Sequence, residues 1–194
     1  MDNLIFFGRE GLFHVLDWGA YDHILFLVAL AVVYDFNNWK KVIWLITLFT
    51  IGHTLSLILA TYKVVSVDSK WVEFLIPVTI LITALFNIFY VRKSTKNLKT
   101  NTNLVFALFF GLIHGLGFSS YFKMLVGKIE YKFIPLLEFA LGVEIAQIIV
   151  VLIILILGFI AQTIFRFSKR DWILIISSIV IGVVLPILKS AIFW

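Results

Sequence analysis

Asp22 and His23 stand side by side in this 194-residue chain, and two more histidines, His53 and His114, lie within long apolar runs. Glu144 opens a Glu-x-x-Gln pattern with Gln147 inside a third such run. Ionisable groups are costly within hydrocarbon and are usually retained for a function. Neutral imidazole and carboxylate together suit nickel, cobalt, zinc, iron or manganese, and imidazole also suits copper. The chain has no cysteine, which removes thiolate metal sites and disulfides alike. A single buried histidine is more often a hydrogen-bonded core residue than a ligand. Several at one depth, with acids, point instead to convergence on a divalent metal.

The local contexts are consistent with such a site. His53 lies in Thr50-Ile51-Gly52-His53-Thr54-Leu55-Ser56, which puts hydroxyls near the ring. His114 lies in Gly111-Leu112-Ile113-His114-Gly115, where Gly111 and Gly115 make a small face that another helix can approach closely. An acid next to a ligating histidine can orient its ring, so Asp22 is either a ligand or the partner of His23. Asp22, His23, His53, His114 and Glu144 are the expected ligand set for nickel, cobalt or zinc. His14 and Asp17 fall near the predicted membrane surface, as solvated groups or as ligands on the way in.

The elements that must position these residues are apolar helices. Hydrophobic residues make up 62% of the chain and charged residues only 14%, against about 25% charged in soluble domains. A spanning helix needs about 20 apolar residues. Six stretches qualify: 18–34, 40–62, 71–91, 103–122, 133–165 and 171–193, with Pro186 a predicted bend in the last. The expectation is an all-α, polytopic integral membrane bundle of about six helices, forming a single domain over 1–194. Residues 1–17 lack the basic start of a cleavable signal and are expected as a segment at the membrane interface.

The net charge of +5 is no nucleic-acid footprint, because the cations sit in short connections between apolar runs. Odd-numbered connections hold nine of them, including Lys40, Lys41, Arg92, Lys93, Arg166, Lys169 and Arg170. Even-numbered connections hold five, mixed with acids. Counting cations near the helix ends puts the odd connections in the cytoplasm and both termini outside. The expected partners are the lipid bilayer and a divalent metal ion, with room left for a homo-oligomer.

Four blocks, His14 to Phe26, Phe49 to Leu57, Phe110 to Phe118 and Phe139 to Gln147, resemble the HupE/UreJ family of bacterial membrane proteins. The resemblance implies nickel or cobalt uptake across the bacterial inner membrane. In the better-known members a histidine precedes the Asp-His pair where this chain has Leu16, and His14 lies two residues earlier. A permease is the first functional expectation. The alternative is an intramembrane zinc-dependent hydrolase, in which the histidines hold an ion with an open water position and an acid serves as general base.

Overall fold

A computed structural model describes residues 2–17, 19, 21–93, 100–127 and 129–193. These residues form seven α-helices and one 3-10 turn, and no strand occurs among them. The helices are α1 (Asp2–Leu16), α2 (Asp22–Ala31), α3 (Trp39–Thr61), α4 (Ser69–Lys93), α5 (Thr100–Val126), α6 (Phe133–Thr163) and α7 (Lys169–Ser190). Five stretches, in α3 with the 3-10 turn before it and in α4 to α7, are long and apolar enough to cross a membrane. The chain is thus a polytopic helical membrane bundle. Part of the expected α4–α5 connection, with Lys96 and Lys99, lies outside the described residues.

The first crossing differs from the stretch expected at 18–34. α2 has ten residues, about 15 Å of helix, which is half of a hydrocarbon core of about 30 Å. α1, 15 residues long, precedes it. Ring contacts trace the chain down α5: Phe7 lies 6.3 Å from Phe122, His14 3.8 Å from Phe118, His23 5.2 Å from His114, and Phe26 5.7 Å from Phe110. α1 and α2 therefore follow α5 as two half-helices separated by a short break. The break has a local cause, since Asp17 Oδ1 accepts from Gly19 N at 2.8 Å and turns the chain.

Two glycine contacts fix the scaffold. A Cβ at Gly52 in α3 would collide with the Leu108 carbonyl of α5, and a Cβ at Gly111 in α5 would collide with the Phe49 carbonyl of α3. Only residues without side chains allow these backbones to meet. The small face expected around His114 is thus the seam between α3 and α5. α1 meets α6 in the same way, through Gly11 and Gly142.

Side-chain caps and bridges shape the connections. Asp35 accepts from Asn37 N at 3.1 Å, from Asn38 Nδ2 at 2.7 Å and from Lys169 Nζ at 2.9 Å, tying the α2–α3 turn to the start of α7. Partial burial alone would raise the Asp35 carboxyl, but the bonds from Lys169 and Asn38 hold it below the usual carboxylate range. Ser168 caps α7 by accepting from Asp171 N at 3.1 Å. α7 then runs continuously through Pro186.

Candidate metal centre

All four imidazoles meet in one cluster. His14 comes from the last turn of α1, His23 from the first turn of α2, His53 from α3 and His114 from α5. Ring centroids lie 4.5 Å apart for His14 and His23, 5.6 Å for His14 and His53, 5.9 Å for His23 and His53, and 5.2 Å for His23 and His114. One nitrogen each from His14, His23 and His53 can be chosen with all three within 4.8 Å of one another. Metal–nitrogen bonds of about 2.0–2.1 Å place ligand nitrogens some 3–4 Å apart, so a shift of about an ångström would close this set on one ion.

Hydrogen bonding fixes which ring nitrogen is free. His23 Nδ1 lies 3.2 Å from Asp22 Oδ1, and an ionised carboxylate only accepts. His114 Nδ1 lies 2.9 Å from the Phe110 carbonyl oxygen, which also only accepts. In the neutral rings both protons therefore sit on Nδ1, and both Nε2 atoms present a lone pair. Those two Nε2 atoms are buried without a partner, as are His14 Nε2 and both nitrogens of His53. Buried polar atoms are nearly always satisfied, so five unpartnered ring nitrogens in one cluster make it the candidate site.

The cluster is reached from one side. A cavity of about 950 Å³ is lined by His14, His23 and His114 and by the acids Glu10, Asp17, Asp22 and Glu73. Glu10 also accepts from the Tyr121 hydroxyl at 3.3 Å. Aromatic rings pack against His114. Phe26 and Phe49 each lie 5.2 Å from His114 and stack on each other at 4.9 Å, with Phe110 5.7 Å from Phe26.

Most of the expected residues gather here, with two displacements. His14, expected at the membrane surface, belongs to the cluster itself. Asp17 stays at the mouth, exposed and lining the cavity. Glu144 does not line that cavity; its Oε1 accepts from Thr47 Oγ1 of α3 at 2.6 Å. Beside it Thr50 Oγ1 donates to Gln147 Oε1 at 3.0 Å, and Gln147 Nε2 is buried without a partner. Asn87, another intramembrane amide, donates to the Ala29 carbonyl at 2.7 Å and fastens α2 to α4.

Sequence reasoning missed Glu10, Glu73 and the Phe26–Phe49–Phe110 floor. Glu73 is 50 residues from His23 and reads as ordinary loop charge until the fold brings them to one cavity. Thr47 had a signal available, since it lies three residues before Thr50, on the same side of the helix.

Fold and site define a multi-pass helical membrane protein with a buried imidazole cluster beside an acid-lined cavity. The chain belongs to the HupE/UreJ family: the family model described as HupE / UreJ protein matches residues 1–189. Comparison with curated proteins and with solved structures found no match. The family is associated with nickel and cobalt transport.

Proposed function

We propose that this protein is a permease for a divalent transition-metal cation of the nickel or cobalt type, acting in the bacterial inner membrane. The reading rests above all on four imidazoles from four helices that meet with five unpartnered nitrogens, three of them, His14, His23 and His114, lining a large acid-lined cavity. Acids at the mouth concentrate cations, and neutral imidazoles replace the water that the ion sheds. In this reading Asp22 holds His23 in the binding tautomer, and His14, His23, His53 and His114 take the ion. Glu144 then serves as the next polar step along α3 and α6, with Thr47, Thr50 and Gln147 offering oxygen in place of nitrogen. The basic connections, including Lys40, Lys41, Arg166, Lys169 and Arg170, face the cytoplasm, so the acidic cavity opens outward.

One observation favours a second reading. Phe26 and Phe49 pack against His114, and Phe110 against Phe26, so apolar rings rather than polar groups back the cluster there, which suits an intramembrane zinc-dependent hydrolase holding an ion and a water. The two separate in one experiment on purified protein, with bound metal measured first and flux in proteoliposomes second. A permease carries nickel or cobalt into the vesicles, and His53→Ala abolishes the flux. Stoichiometric zinc that never exchanges, with no flux of any divalent ion, would sink the permease.

A further inference from the structure

A second cavity, of about 160 Å³, lies between α2, α4, α5 and α7, on the far side of Phe110 from the histidines. Its walls are mostly apolar, with Leu30, Phe106 and Ile173 among them, and its rim carries Lys169 and Arg170. Two cations at the rim disfavour a divalent metal there, so this space does not suit the route of the ion. Lys169 is already bonded to Asp35 at 2.9 Å. Arg170 is exposed and makes no ion pair among the described residues. The neighbouring Asp171 carboxylate accepts instead from Ser168 Oγ at 2.7 Å.

The cavity also opens sideways. Phe106 lines it while being 43% exposed, on a face that a bilayer would cover. An occupant therefore enters from lipid, needs an apolar tail for the walls, and needs an anion for the rim. A dry apolar cavity of about 150 Å³ is enough to hold a benzene ring, so the end of an acyl chain fits this one. Basic pockets between membrane helices suit anionic lipid head groups.

We propose that this cavity holds an acyl chain of an anionic phospholipid, with the lipid phosphate at Arg170 and Lys169. The lipid would then brace α7 against α2 and α4 at the membrane face where Asp35 and Lys169 join.

The test uses the full chain, purified and delipidated in detergent. Phosphatidylglycerol and phosphatidylcholine with identical acyl chains are added separately, and bound lipid is counted by native mass spectrometry alongside the melting temperature. One phosphatidylglycerol should be retained with roughly tenfold preference and should raise the melting temperature. Arg170→Gln, a surface change that folding tolerates, should remove most of that preference. Lys41→Gln removes an exposed cation elsewhere on the same membrane face and should leave the preference intact. Equal retention of the two lipids would overturn the proposal. So would equal losses from Arg170→Gln and Lys41→Gln, which would indicate surface charge alone. Stabilisation by free glycerol phosphate equal to that by the whole lipid would also overturn it, since the cavity would then contribute nothing.

Discussion

His23 Nδ1 sits 3.2 Å from Asp22 Oδ1, and the same carboxylate oxygen also accepts from the His23 backbone N–H at 2.9 Å. Asp22 thus holds both ends of its neighbour and turns the free Nε2 toward the cluster. Asp22→Asn should weaken metal binding by about 10- to 100-fold without unfolding the protein, as expected for a partner that orients a ligand. Titration calorimetry with nickel or cobalt measures this. Unchanged affinity would mean that the contact positions nothing.

The place of His14 leads to a different expectation. If its ring is a ligand, His14→Ala should reduce affinity as strongly as His53→Ala does. If it only marks the way in, affinity should hold while the rate of metal loading falls. Stopped-flow loading together with equilibrium binding separates the two outcomes. Asp17, exposed at the mouth, should affect the rate alone.

The acids above the cluster should act through their field. Glu10→Gln with Glu73→Gln should slow loading at low ionic strength and leave the bound stoichiometry unchanged. Salt at about 0.5 M should erase most of the difference, because the screening length then falls well below 10 Å. A defect that persists at high salt would assign these residues a direct bond to the ion.

Gly52→Ala should be severe for its size. The added carbon would meet the Leu108 carbonyl, and overpacking of this kind costs typically 1–3 kcal/mol. Thermal unfolding should register the loss. Metal affinity should fall as well, because His53 is the next residue and His114 stands across the same seam.

Thr47→Val removes the hydroxyl that donates to Glu144 at 2.6 Å while keeping the side-chain volume. Equilibrium binding at the histidines should stay within about twofold, whereas flux in proteoliposomes should fall if the ion passes this way. Equal flux in the variant and the parent would remove Glu144 and Thr47 from the route.

The helices were largely legible from sequence because apolar runs of membrane length leave few alternatives. Three of the four central histidines were legible for the same reason, since depth along a helix follows from residue count. His14 was misplaced because its stretch is short and acids interrupt it, as at an interface. Its position depends on Gly11 meeting α6 backbone to backbone and on the Asp17 turn, which are long-range packing and loop geometry. Glu144 shares the histidines' approximate depth, but its rotamer and its bond to Thr47 are set by the opposite helix. The Phe26–Phe49–Phe110 floor had no signal, because buried phenylalanines are everywhere in such a chain.

The glycine seam has a mechanical consequence. α3 and α5 touch backbone to backbone, so His53 and His114 behave as one jaw of fixed span. His14 and His23 form the other jaw, mounted on either side of the break between α1 and α2. An ion gripped by both jaws would rivet a hinged piece to a rigid one. Loading and release would then be set by how far the broken crossing can swing, with the stiff pair serving as the anvil.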